Sequence, residues 1–167
     1  MFKNLLSSLL GKDGEAAQVV LCAPVDGQFV ALKDVADPVF SGEMLGKGVA
    51  VEPSGDTLVA PAGGKVTQVF PTKHALTMQV KDAELLLHIG IDTVKLQGEG
   101  FTALVKTGDQ VTKGTPLIKF DKAVLQEHKH PATVMMVICN HNEFKHFEVK
   151  DAAQVTAGDT EMVVLRK

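Results

Sequence analysis

The punctuation of this chain constrains its fold more than any other feature. From about residue 18 onward, short aliphatic and β-branched runs are broken by Gly, Pro and Asp at roughly 8–12-residue spacing, the pattern of an all-β sandwich or barrel. The runs are residues 19–22, 28–32, 48–52, 57–59, 65–70, 76–80, 84–88, 111, 117–120, 133–139 and 161–165. Helix signals are few. Asp121 is placed to cap a short helix ending near Glu127, and residues 102–106 and 142–147 each suit one helical turn. The expected fold is an antiparallel β-sandwich or barrel with a few short helical turns.

Two echoes suggest a duplicated motif. Ala23-Pro24-Val25-Asp26-Gly27 is matched by Ala60-Pro61-Ala62-Gly63-Gly64, each leading into a β-type run. Thr107-Gly108-Asp109 is set against Thr156-Ala157-Gly158-Asp159. Turn chemistry alone repeats Pro and Gly. Duplication is the stronger reading because a strand-like run follows each turn.

Composition excludes several functions. A formal charge of −3, with no Trp and no Tyr, lacks both the basic excess that phosphate backbones attract and the stacking platforms of single-strand binders. Nucleic acid is therefore not an expected partner. Cys22 and Cys139 sit in apolar runs without a CxxC spacing, which suits a reducing compartment, and no apolar run is long enough to span a bilayer. A cytoplasmic monomer is expected. Residues 1–18 form a separate amphipathic segment and tether ahead of a domain at 19–167. At helical spacing, Met1, Phe2, Leu5, Leu6, Leu9 and Leu10 share one side and Lys3, Asn4, Ser7 and Ser8 the other. That suits either weak contact with the inner membrane surface or a frayed terminus.

Residues 72–92 carry the chemistry. Two β-runs flank Lys81-Asp82-Ala83, which reads as a hairpin. A turn centred on Lys81 pairs His74 with His88 and places both on the face of Leu76, Met78, Val80 and Leu86. Opposed residues hold their Cβ atoms about 4.5–5.5 Å apart, so the imidazoles would touch. Burial favours the neutral ring, which offers one unprotonated nitrogen as a nucleophile. The other nitrogen needs a partner: the Gly90 carbonyl for His88, the Thr72 hydroxyl for His74. Such a pair suits a phosphoryl acceptor, a metal site or a structural hydrogen-bonded pair.

The run from His88 through Ile89-Gly90-Ile91-Asp92-Thr93-Val94 to Leu96-Gln97-Gly98-Glu99-Gly100-Phe101 resembles the phosphorylation-site signature of glucose-specific enzyme IIA components of the bacterial phosphotransferase system. His74, Asp37-Pro38-Val39-Phe40 and Ala60-Pro61 with Gly64 extend the likeness, which covers residues 18–167. The N-terminal segment resembles that of free-standing members. The resemblance implies that His88 takes a phosphoryl group on Nε2 and that His74 stabilises that state and aids transfer. Thr72 would hold His74 and Gly90 would hold His88. Asp37 and Asp92 would flank the site, and Val39, Phe40, Met44, Leu45 and Phe70 would form an apolar docking ring. It further implies the phosphohistidine carrier HPr as donor and a cysteine on the IIB domain of a sugar permease as acceptor. The unphosphorylated form would bind and regulate other transporters or kinases. No cofactor is required, although a Zn²⁺ ion shared with a partner would take His74 and His88 as ligands.

Two rival readings remain at this level. A zinc peptidase on a related duplicated β-motif would use the H-x-x-x-D spacing of His88 and Asp92 with His128-Lys129-His130. That tripeptide is polar and abuts Pro131, so exposed histidines at a helix end are the simpler account; His141 and His146 carry no ligand pattern. A biotinyl- or lipoyl-type carrier would need a Met-Lys-Met hairpin, which the chain lacks.

Overall fold

The computed structural model describes residues 18–167. The readings of residues 1–10 and of residues 11–17 of the expected tether at 11–18 therefore lie outside the described residues, and Gln18, the tether's last residue, opens the first strand. Alternating apolar runs became strands β1 (Gln18–Cys22), β2 (Gly27–Ala31), β3 (Lys47–Pro53), β4 (Thr57–Val59), β5 (Gly64–Val69), β6 (Ala75–Val80) and β7 (Ala83–Ile89). They continue as β8 (Phe101–Ala103), β9 (Gln110–Val111), β10 (Pro116–Phe120), β11 (Val134–Ile138), β12 (His146–Val149), β13 (Gln154–Val155) and β14 (Glu161–Arg166). Among the described residues two short α-helices interrupt them, α1 (Pro38–Ser41) and α2 (Lys122–Glu127). Among the described residues no helix is long and apolar enough to cross a membrane.

All strand pairs are antiparallel. An eight-stranded sheet has the order β13-β2-β3-β11-β7-β6-β5-β9, and two three-stranded sheets have the orders β1-β14-β12 and β4-β10-β8. The main core joins Leu76, Leu85, Leu87 and Met136 of the large sheet to Leu21, Leu58, Ile118 and Leu165 of the small ones. A smaller apolar cluster lies on the opposite face of the central strands. There Ala50, Ala75, Leu86, Met135 and Val137 are covered by Leu32, Val35, Phe40 and Ile91.

The backbone supports the duplication. Exchanging β13-β2-β3-β11 with β9-β5-β6-β7, and β1-β14-β12 with β4-β10-β8, reproduces the sheet orders. The two Ala-Pro turns bond reciprocally: Cys22 N–H donates to the Pro61 carbonyl at 2.9 Å, and Val59 N–H to the Pro24 carbonyl at 2.7 Å. The second echo needs a shift. Gly114 N–H donates to Ala60 as Gly158 N–H donates to Ala23, both at 2.8 Å, so Gly158 corresponds to Gly114 and not to Gly108. Gly108-Asp109 belongs to a different turn, in which the Asp109 carboxylate accepts from Lys106 N–H at 2.9 Å.

Other expectations also change. Residues 102–106 do not form a helical turn, because Phe101–Ala103 pairs with β10 at a sheet edge. Residues 142–147 divide into a 3₁₀ turn at His141–Glu143 and strand β12. These edge strands, like β13, are too short for alternation to show against their polar surroundings. The Asp121-capped helix is present, with Asp121 Oδ1 accepting from Ala123 N–H at 2.9 Å.

The pseudo-dyad passes close to the glycine pair. Gly158 has φ +72, and a Cβ built there lies 3.1 Å from the Gly114 Cα; Gly114 has φ +86 and open space. A left-handed non-glycine costs about 1–2 kcal/mol. Gly114→Ala should lose about that much in urea unfolding, and Gly158→Ala measurably more. Equal losses would contradict the close approach at the dyad.

Candidate functional site

His88 lies near the end of β7, with Ala75 of β6 and Met135 of β11 directly opposite it in the ladders. The β6–β7 register differs from expectation. Val80 pairs with Ala83, leaving the two-residue turn Lys81-Asp82, with Lys81 at φ 50. Ala83 belongs to the strand, so the turn is one residue shorter than the expected Lys81-Asp82-Ala83, and each β6 residue pairs one position further along β7 than a centre at Lys81 would give. A slip of one residue reverses the facing side chains. Leu76, Met78 and Val80 accordingly enter the main core, while Leu86 joins the smaller cluster on the His88 face.

The imidazoles nevertheless meet. His74 precedes β6 and follows Lys73, whose φ is 59, so it escapes the alternation of the strand. Its carbonyl accepts from Ile89 N–H at 2.8 Å, tying the two segments together. The His74 and His88 ring centroids are 4.9 Å apart, with planes at 82°. Phe40 packs edge-on against His88 at 4.9 Å, and Phe70 against His74 at 5.7 Å. Four rings thus stand in a row.

Each ring is held differently. Thr72 Oγ1 and His74 Nδ1 are 2.7 Å apart, a short hydrogen bond across two residues. His88 Nδ1 is, among the described residues, the buried side-chain nitrogen or oxygen without a hydrogen-bond partner. The Gly90 carbonyl is near enough to favour a protonated ring, although the pair does not form a hydrogen bond of normal geometry. Because Nδ1 is buried and His88 is only half-buried, its exposure belongs to its other atoms.

Burial controls the charge. It lowers the His74 pKa, and with the neighbouring His74 ring it pushes the His88 pKa down to about 4. Gly90 and Asp92 oppose the His88 shift without overcoming it. Asp92, at φ 59, is exposed beside Lys95, 4.0 Å away. Asp37 does more than flank the site. Its Oδ1 accepts from Val39 N–H at 2.9 Å and caps α1, the helix that places Phe40 against His88.

The anticipated apolar ring is divided by depth. Phe40 is only 4% exposed and walls the site, and Phe70 is half-buried. Val39, Met44 and Leu45 are exposed in the same β2–β3 connection, Met44 at 74%. Sequence reasoning missed exposed Val94, in the 3₁₀ turn Thr93–Leu96, and the buried Thr93 hydroxyl, which donates to the Ile89 carbonyl. The H-x-G-x-x-T spacing was the available signal for Thr93.

Two imidazoles provide two metal ligands. Among the described residues no group of three or more His, Cys, Asp or Glu could hold a metal ion. His128 instead follows α2, with Nε2 3.6 Å from a Glu99 carboxylate oxygen, and His146 pairs with Glu148 at 3.4 Å. A surface cavity of about 650 Å³ beside Phe101, Lys119 and Lys122 includes neither His74 nor His88 in its lining.

Comparison with known proteins matches residues 19–144 to the family described as phosphoenolpyruvate-dependent sugar phosphotransferase system, EIIA 1. The chain is 40% identical over 164 residues to a PTS system glucose-specific EIIA component of Oceanobacillus iheyensis, covering 98% of each chain. It is 39% identical over 170 residues to the component of that name in Halalkalibacterium halodurans, covering 99% of this chain and 98% of the relative. Glucose permease IIA from Mycoplasma capricolum superposes with a TM-score of 0.76 at 33% identity, covering 88% of this chain and 95% of that one.

A depressed histidine pKa has a definite linkage sign. Between the ordinary value near 6.5 and about 4, the unfolded chain binds more protons than the folded one. Stability contributed by keeping His88 neutral is therefore complete above about pH 6.5, declines as pH falls toward 4, and changes no further below. NMR titration should find the His88 ring unprotonated at pH 5.5. A midpoint near 6.5 would contradict the burial account.

Proposed function

The chain belongs to the EIIA 1 family of the phosphoenolpyruvate-dependent sugar phosphotransferase system, and on that premise we propose that His88 accepts the phosphoryl group through Nε2. As a member of the family it is a phosphotransferase component and a phosphocarrier in sugar uptake, with no cofactor needed for the transfer. Membership implies HPr as donor and a IIB domain as acceptor. The observation that carries the His88 assignment is its ring: half-buried and placed edge to face with a second imidazole, surroundings that hold its pKa well below the usual histidine value.

The lone pair on Nε2 attacks phosphorus, and a new P–N bond forms as the donor's P–N bond breaks. Phosphoryl transfer depends mainly on positioning and charge stabilisation. Thr72 Oγ1 and His74 Nδ1 are within hydrogen-bond reach; with Thr72 as the donor of that bond, the His74 proton sits on Nε2, where it can bond to a phosphoryl oxygen with charge assistance. Docking on Val39, Met44, Leu45 and Val94 would exclude water during transfer. Onward transfer breaks the His88 P–N bond and forms a P–S bond on the IIB cysteine.

The same face supports two further roles. Unphosphorylated, it would bind regulated transporters or kinases, and phosphate on His88 would oppose that by adding charge to an apolar surface. A zinc ion shared with such a partner would find two ligands in His74 and His88, with the remaining ligands coming from the partner or water.

Incubation with phosphoenolpyruvate, enzyme I and HPr should label the native protein at His88 and leave His88→Ala unlabelled. His74→Gln should take the label and pass it to a IIB domain about a hundredfold more slowly. Met44→Asp should raise KM for phospho-HPr with little change in kcat. Labelling of His88→Ala would overturn the assignment, and partner affinities unchanged by a zinc chelator would remove the zinc reading.

A further inference from the structure

The turn after His88 contains a buried bond that the catalytic account leaves unused. Thr93 is completely buried, and its hydroxyl donates to the carbonyl of Ile89, four residues back. Its methyl lies against Gly90: a Cβ built on Gly90 would stand 2.4 Å from Thr93 Cγ2. Gly90 has φ +81 and Asp92 φ +59, a path that few L-residues follow unaided. Gly90 N–H is anchored to the Thr133 carbonyl at 2.7 Å and Ile91 N–H to the Pro131 carbonyl at 3.0 Å. The amides of this turn are therefore tied to one side and Thr93 closes it on the other.

The turn matters because of what it presents to the ring. A buried nitrogen that carries hydrogen needs an acceptor, and His88 Nδ1 has no hydrogen-bond partner of normal geometry. The Gly90 carbonyl is the backbone group near enough to favour a proton there, short of a hydrogen bond of normal geometry. Whichever nitrogen keeps the proton leaves the other as the nucleophile. A modest displacement of that carbonyl would stop it favouring a proton on Nδ1.

We propose that Thr93 is a positioning residue for phosphoryl acceptance: bonded to the Ile89 carbonyl and packed on Gly90, it sets the Gly90 carbonyl beneath His88 Nδ1 and so keeps Nε2 free to attack. This rests on the reading of His88 as the acceptor. Thr93 touches no reacting atom and acts through Gly90.

Thr93→Val is nearly isosteric and removes the donor. Thr93→Ser keeps the donor and withdraws the methyl. The ring ¹⁵N shifts of unphosphorylated His88, read by long-range ¹H–¹⁵N NMR, report its tautomer without any transfer step. Native protein and Thr93→Ser should carry the proton on Nδ1, whereas Thr93→Val should show a mixed or reversed tautomer. Its labelling by phospho-HPr should fall about ten- to a hundredfold, mostly in kcat, as for other misplaced reacting groups. Should Thr93→Val not fold, Thr93→Ala removes the same bond with no added methyl and takes its place. A native tautomer and labelling rate in the variant, with only thermal stability reduced, would overturn the proposal. Failure of the native protein to label at His88 would instead overturn the acceptor reading and leave the tautomer comparison as the deciding result for Thr93.

Discussion

Edge-on packing of Phe40 on His88, and of His88 on His74, removes water from imidazoles that water would otherwise help to protonate. The site depends on this desolvation. A protonated ring has no lone pair to offer phosphorus, and burial supplies the uncharged form without a metal or a base. Burial also has a cost, because Nδ1 loses water and has no bonded partner to replace it. The Gly90 carbonyl, in the irregular turn after β7, is the nearby group that favours a proton on the ring.

Duplication and its violation explain why one such site exists. The two halves agree closely along the dyad, down to reciprocal bonds at Pro24 and Pro61. They differ in the connections between corresponding strands. Residues 70–74 join β5 to β6 and bring His74 to the central strands, whereas residues 32–46 join β2 to β3 and carry Leu32, Val35 and Phe40 over the smaller cluster. His88 is flanked by both connections. One lends a second imidazole, and the other lends an aromatic wall and the exposed apolar residues Val39, Met44 and Leu45. A symmetrical molecule would have neither the covered face nor the exposed apolar rim.

Sequence legibility followed the strength of local signals. The long buried strands were legible because alternation and turn residues agreed, as at β3, β6 and β11. Edge strands β8, β12 and β13 were not, since a few half-exposed residues show no period. The hairpin was identified but its register was one residue out, because Ala83 can serve a turn or a strand equally well. The two histidines meet even so, through the left-handed Lys73 that lets His74 leave the strand's alternation. No pattern in the chain announces that conformation. The cap role of Asp37 was equally hidden: before Pro38-Val39-Phe40 it looks like a charge near the site, and only the α1 geometry shows it bonding Val39 N–H. The run from His88 to Phe101 is distinctive for a physical reason. Gly90, Asp92, Gln97, Gly98 and Gly100 all adopt positive φ, so few sequences can follow this path.

The central claim is that one ring nitrogen, Nε2 of His88, carries the phosphoryl group. Long-range ¹H–¹⁵N NMR on protein phosphorylated through HPr tests it most directly. A phosphoryl-bonded nitrogen has a distinct ¹⁵N shift, and its pattern of couplings to the ring protons separates Nε2 from Nδ1. The account predicts phosphorylation at Nε2 of His88, with the His74 ring unmodified. Phosphate on Nδ1 of His88, or on His74, would contradict it.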